Sequence, residues 1–343
     1  MALLWTDGFD LYGTYDTVIE DALEARGYTF GNISFDDDTG RISGKSLEMS
    51  SSYTPITSPT LDTTNDTFIF GFGFKTDDVT PTNNNNGSLI AFNNGTDYID
   101  LEITTDSKLN INVGGTNLAQ STNTISVDTW YFVEWKFTIG SNAAYEVKVD
   151  GETWISGNGD TQAGSVSYYN QIKIHNVDGY DGGQKMWYDD LFVMDATGST
   201  NNDFVGDCKI VTIQPDGDDS CNFANLSTGS DHYALVDDDP FDGDSTYVED
   251  ATSGNRDLFT YGNTSDANTI YGLSVITAGK RTDTDAISIK TVISSNGTVE
   301  TGSNFALDTA YSSGLEISEE DPDTSNAWTQ SGVNAAKFGF EVV

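Results

Sequence analysis

The sequence predicts an all-β chain: two β-sandwich domains of jelly-roll type, with one short N-terminal helix. Three observations predict it. Apolar residues alternate at period two in successive short runs, which is the pattern of half-buried strands. Gly, Asn, Asp, Ser and Thr crowd the segments between those runs, and with 34 glycines the chain has ample turn residues. A length of 343 residues is enough for two domains of ordinary size and too much for one small sandwich.

The clearest strand signal lies between Trp130 and Ser156. Tyr131, Val133, Trp135, Phe137 and Ile139 fall on one side of the pattern, Phe132, Glu134, Lys136 and Thr138 on the other. Only the first set is expected to meet a core. Tyr145, Val147 and Val149 mark the next strand, Asp150-Gly151 a two-residue hairpin turn, and Trp154 and Ile155 the return. Upstream, LLWTDGFDLYGTYDTVIEDALEARGY holds the helix pattern. Asp16 or Thr17 serves as cap, Val18, Ile19, Ala22 and Leu23 form one apolar face, and Gly27 ends it. Further strands are expected in GRISGKSLEMS, SLIAFNN, YIDLEITTD, LNINVGG, QIKIHNV and KMWYDDLFVMD. In TFIFGFGFKT, Phe68, Phe70, Phe72 and Phe74 share one face.

Composition shifts after Asp195 to small polar residues. This sets a first domain over 1–197, a linker over 198–206 and a second sandwich over 207–343, with strands in CKIVTIQP, RDLFTYG, TIYGLSVITAGKR, AISIKTVISS and KFGFEVV. The net charge of −39 repels phosphate backbones and anionic headgroups, so no nucleic-acid partner and no membrane insertion are expected. Apolar residues are only 36%, but aromatics at 12% are bulky enough to fill sandwich cores, which argues against disorder. Met1-Ala2-Leu3-Leu4-Trp5 lacks the basic start and long apolar run of a signal peptide. Cys208 and Cys221 are too few for a disulfide scaffold. They are read as free thiols of a cytoplasmic chain or as a pair facing across a hairpin, without partners for a zinc site.

In MALLWTDGFDLYG, GKSLEM, WYFVEWKF and WYDDLFVMD, the first half resembles the concanavalin-A-like (laminin-G-like) lectin/glucanase domains of tailed-bacteriophage virion proteins. The second half resembles the C-terminal module that accompanies them, through DCKIVTIQPDGDDS, DDDPFDGDSTYVED, RDLFTYG and EEDPDTSNAWTQSGVNAAKFGFEVV. The resemblance implies a non-enzymatic virion structural protein on the tail, neck or capsid, assembled in the bacterial host cytoplasm. It would form a homo-oligomer held by other virion proteins, with the second domain as anchor. The alternatives are a carbohydrate-binding adhesin for a host-surface glycan and a glycan hydrolase.

Several groups are candidates for chemistry. Asp100 and Glu102 in YIDLEIT have the i, i+2 spacing that puts two carboxylates on one strand face, with Ile99, Leu101 and Ile103 turned to the core. Asp106 joins them only if the strand runs on unbroken. The plainer expectation is a solvated strand face. Asp237 to Asp244 fails the EF-hand pattern because Phe241 takes the fifth position, so a turn is expected. His175 and His232 stand alone in sequence, so no Ser-His-Asp grouping is proposed, and His175, at a strand end, is read as a turn residue, not a base. Tyr168, Tyr169 and Tyr180 are candidate glycan contacts near a sandwich rim. No cofactor is expected beyond a structural calcium ion, which the resemblance implies between Gly8-Phe9-Asp10 and Tyr188-Asp189-Asp190-Leu191. Alternation along a strand puts Asp189 and Asp190 on opposite faces, so only one of them can join Asp10.

Overall fold

The computed structural model describes the chain except residues 1, 13–15, 32–33, 37–39, 51–54, 80–85, 176–183 and 266–268. The chain is almost wholly β, as its period-two runs require. It divides into two compact units: residues 1–10, 14–16 and 28–210 in one, and residues 11–13, 17–27 and 211–343 in the other.

The first unit is a sandwich of two antiparallel sheets. Its strands are β1 (Leu3–Asp7), β2 (Ser34–Asp36), β3 (Ser46–Ser50), β4 (Ile56–Thr57), β5 (Thr67–Thr76), β6 (Gly87–Asn93) and β7 (Tyr98–Ile103). They continue with β8 (Lys108–Val113), β9 (Thr116–Thr124), β10 (Tyr131–Thr138), β11 (Ala143–Val149), β12 (Glu152–Gly159), β13 (Gln171–Ile174) and β14 (Lys185–Asp195). One sheet runs β12-β11-β10-β5-β14-β3-β2, with β1 also paired to β14; the other runs β4-β13-β6-β7-β8-β9. The β11–β12 turn is the expected tight hairpin. Asp150 and Gly151 both have positive φ, 49° and 82°, as a type I′ turn needs, and Asp150 Oδ1 accepts the Phe132 N–H at 2.8 Å.

The four phenylalanines of β5 share the core face as expected, all fully buried. Trp135 packs at a tilt between Phe70 and Phe137, with ring centroids 5.3 and 4.9 Å away, and Phe92 from the other sheet meets Phe70 edge-on at 4.8 Å. Both sheets thus contribute to one aromatic layer. Truncating Trp135 removes its centre. Trp135→Ala should destabilise the first unit by about 3–5 kcal/mol, read as faster hydrogen exchange of the β5 and β10 amides. Unchanged exchange there would place Trp135 outside the core.

The opposite face of β10 departs from expectation. Phe132 and Glu134 are as buried as the core residues. The cause lies partly in the neighbouring strand, where Gly71 and Gly73 occupy that face. A Cβ on Gly71 would come within 2.4 Å of the Phe192 ring, and one on Gly73 within 2.6 Å of Arg41 Cδ, so the missing side chains admit a second layer. The stretch expected as a free linker supplies the rest of the cover. Glu134 Oε1 accepts the N–H groups of Val205 and Gly206 at 2.9 and 3.0 Å, Lys136 pairs with Asp203 at 2.9 Å, and the Lys148 ammonium lies 4.1 Å from the Phe204 ring centroid. Residues 198–206 are therefore fastened to the first unit, whose contacts run on to Ile210.

The second unit is built on a sheet of Pro215–Cys221, Arg256–Tyr261, Lys337–Val342, Ser288–Ser295 and Thr298–Thr301, in that spatial order. Leu273–Gly279 pairs separately with Ser312–Ser318. The predicted helix forms as α1 (Asp16–Ala25), but it belongs largely to this unit, and its Ala25 carbonyl accepts from Ser313 Oγ at 2.9 Å. A second short helix, α2 (Gln330–Ala335), adds to the single one expected; Thr329 Oγ1 caps it by accepting the Gly332 N–H. Trp328, Val333 and Phe338 close a core cluster around Ile293. Among the described residues no helix is long and apolar enough to cross a membrane.

Candidate functional site

The outward face of the six-stranded sheet holds the most unusual side chains of the first unit. On β7, Ile99, Leu101 and Ile103 point to the core, so Tyr98, Asp100 and Glu102 share the other face. Asp106 does not join them, because the strand ends at Ile103 and a turn follows. Strand register sets Lys173, Ala91, Asp100, Asn112 and Asn117 side by side across five strands. Ala91 is the small member of that row. A cleft of about 300 Å³ opens beside it, lined by Asp100, Tyr98, Asn93, Ser88, Lys173 and His175.

This is not the solvated strand face expected. Asp100 is 5% exposed and Glu102 8%. Glu102 Oε2 accepts from the amides of Asn86 and Asn110 at 2.8 and 2.9 Å, and Asn110 and Asn112 both donate to Asn117 Oδ1. Among the described residues Asp100 Oδ1 has no hydrogen-bond partner, nor has the nearby Ser88 Oγ. Burial, reinforced by the neighbouring Glu102 charge, raises the Asp100 pKa to about 7. The same burial and both carboxylates push the Tyr98 phenol above its ordinary value. His175 follows β13, and burial together with Lys173 lowers it to about 4, so its imidazole is neutral. The strand face therefore sets a cleft-lining carboxyl that can gain or lose a proton near neutrality beside a second carboxyl, outside the lining, that is held by amides. That is the equipment of general acid–base chemistry.

The tyrosines divide. Tyr169 is fully buried and packs on Phe137 at 6.3 Å, with its hydroxyl accepting the Ala163 N–H, so it is a core residue and not a glycan contact. Tyr168 is exposed. Tyr180 lies outside the described residues.

The seam expected to hold calcium is organised instead around Arg41. A β-bulge interrupts β14, with Asp190 at φ 53°, so strict alternation fails and both carboxylates turn toward Arg41. Asp189 Oδ2 accepts the Arg41 backbone N–H at 2.7 Å, and Asp190 Oδ2 takes Arg41 Nε at 2.8 Å. Asp190 Oδ1 accepts the Ile210 N–H at 2.7 Å. The guanidinium also reaches Asp207 Oδ1 at 2.7 Å and the Cys208 carbonyl, and sits 4.7 Å from the Phe132 ring centroid. Asp10 accepts the Lys45 N–H at 2.9 Å. It is close enough to add to the burial and the Asp190 charge that hold Asp189 well above the usual carboxylate range. The cation between these carboxylates is thus an arginine, which the sequence reading did not single out. The Gly71 and Gly73 positions, which open room on that face, were the available signal.

In the second unit, register brings together residues that looked isolated. Cys221 pairs directly with Asp257 across neighbouring strands, and His232 Nδ1 meets Asp257 Oδ2 at 2.7 Å. Cys208 and Cys221 are both free thiols. The acidic stretch near Asp242 behaves as the expected turn, with Asp238 and Asp242 both accepting from Thr246 Oγ1.

No protein-family model matches the chain, and no curated protein does. Solved structures do. An alginate lyase is 12% identical with a TM-score of 0.40, over 56% of this chain and 96% of that one. The endo-β-1,4-glucuronan lyase of Trichoderma reesei is 15% identical with a TM-score of 0.35, over 48% and 86%. The receptor-binding domain of botulinum neurotoxin D is 15% identical with a TM-score of 0.38, over 49% and 43%. The expectation of a non-enzymatic protein is corrected by this finding, since two of these three similar structures are polysaccharide lyases. The virion reading draws no support from them.

Proposed function

We propose that the first unit processes a glycan laid along the polar face of its six-stranded sheet, with Asp100 as the proton-transferring group. The observation that carries this reading is the buried carboxyl of Asp100, held near pKa 7 at the edge of an open cleft, with one oxygen unpartnered. A carboxyl held in that state costs folding energy, and such a cost is expected where the group has a task. Asp100 in its protonated form gives a proton to the glycosidic oxygen, and Glu102 serves as the second carboxylate of the pair. Lys173 and the exposed Asn117, in the same cross-strand row as Asp100, supply polar groups for sugar hydroxyls along that face.

Charge narrows the substrate. The protein carries −39, and the cleft is lined by one carboxyl, one lysine and a neutral imidazole, with Glu102 adding a second carboxyl on the same strand face outside the lining. A polyuronate would be repelled, so the fitting substrate is a neutral glycan and the fitting reaction hydrolysis. The test is a panel of neutral and uronic-acid polysaccharides, following new reducing ends and, separately, the absorbance of unsaturated sugar. New reducing ends from a neutral glycan, without unsaturated product, are the expected result. Turnover of uronates alone, with unsaturated product, would reverse the assignment of substrate and reaction. Absence of turnover and of binding across the panel would remove the reading.

A further inference from the structure

We propose that Cys221, His232 and Asp257 form a binding site for a zinc-class divalent cation in the second unit. One ligand atom from each lies within 4.8 Å of the other two; among the described residues no other set of three His, Cys, Asp or Glu meets that condition. A thiolate, an imidazole and a carboxylate make a donor set suited to zinc or cobalt, and unsuited to calcium or magnesium, which take oxygen ligands. Three protein ligands leave a fourth position for water.

The residues are held in place before any ion arrives. Asp257 is fully buried, and its Oδ1 accepts the N–H groups of Asn222 and Phe223 at 2.7 and 2.9 Å, which leaves Oδ2 for the site. Cross-strand pairing fixes Cys221 opposite it. His232 comes from a loop that Asp218 ties down, accepting the His232 and Tyr233 N–H groups at 3.0 and 2.6 Å. With 14% of its side chain exposed, His232 gives the site an opening to solvent. Among the described residues neither Asp257 nor Asp218 has a Lys or Arg partner, since Arg256 and Lys290 both go to Glu341. The Nδ1–Oδ2 separation of 2.7 Å is that of a hydrogen bond. A metal with ligand distances of about 2.0–2.2 Å takes the place of the shared proton when the two atoms part to roughly 3.3 Å, a small side-chain rotation. Binding releases the Cys221 thiol proton, since the thiolate is the ligand.

The test is a titration of the full-length Cys208→Ser protein, in which Cys221 is the sole thiol, with Co²⁺. The expected result is saturable binding with a cobalt–thiolate absorption band, displaced by Zn²⁺. Cys221→Ser should abolish the band, and His232→Asn should weaken cobalt binding ten- to hundred-fold while circular dichroism shows both variants folded. Zn²⁺ should also slow the reaction of Cys221 with a thiol reagent. Absence of a thiolate band at millimolar cobalt overturns the proposal, and so does a His232→Asn protein that binds cobalt as its parent does.

Discussion

Asp100→Asn should lower glycan turnover by about 10²–10⁴-fold and, at alkaline pH, leave the first unit more stable than before. The two effects have one cause. Burial and the Glu102 charge raise the Asp100 pKa to about 7 in the folded chain, against 3.8 for the free side chain. Between those values the folded state binds more protons than the unfolded state, so stability falls as pH rises through that window. A shift of about three units is worth roughly 4 kcal/mol at an upper bound, all of it lost above pH about 7. Asn keeps the shape and carries no charge. The variant should match the parent near pH 4 and exchange its β7 and β8 amides more slowly at pH 8. Turnover by the parent should decline above pH about 7, where Asp100 no longer holds a proton to give. A variant that keeps full turnover would remove Asp100 from the chemistry. Amide exchange that is the same for both proteins at pH 8 would show that the folded carboxyl is not held above its ordinary pKa.

The strand alternation of β7 and β10 was legible in the sequence because burial of one face leaves a period-two record. So was the Asp150-Gly151 turn, because few residue pairs accept two positive φ values. What covers the outer faces was not. Phe132 and Glu134 read as solvent-facing by alternation alone; Phe192 and Arg41 cover Phe132 where Gly71 and Gly73 leave room, and a segment about seventy residues downstream covers Glu134. Likewise Asp100 and Glu102 were placed on one face correctly, but their desolvation depends on Asn86, Asn110 and Asn112 from neighbouring strands and loops. The Asp189-Asp190 alternation failed at a bulge, which a single residue with positive φ creates and no motif announces. Cys221, His232 and Asp257 were beyond reach for a further reason. Their meeting depends on a strand register and a loop, and neither leaves a spacing rule in the chain.

Arg41→Ala should be the most destabilising single substitution on the covered face of the first unit, by about 3–5 kcal/mol. The guanidinium is 7% exposed and serves three partners at once: Asp190, Asp207 and the Cys208 carbonyl. Truncation leaves the backbone bond to Asp189 in place but strips Asp190, itself nearly wholly buried, of its counter-charge. An uncompensated buried carboxylate is what makes breaking one side of such a pair so damaging. Lost packing against Phe132 adds to it. The two contributions separate by pH. Arg41 favours the charged form of Asp190, so without it the Asp190 pKa rises further above its unfolded value. A carboxyl with a raised folded pKa loses stability as pH rises, so the defect of Arg41→Ala should be largest at pH 7–8 and shrink toward pH 4, where Asp190 takes up a proton. The packing loss does not titrate and should remain. Arg41→Lys restores the charge but not the fork, since one ammonium cannot reach all three partners, and should recover only part of the loss. Hydrogen exchange of the β5 and β14 amides across that pH range reads all of this in the full-length chain. A defect of Arg41→Ala that is constant with pH would assign Arg41 to packing alone and leave the buried aspartates without the counter-charge argued for here.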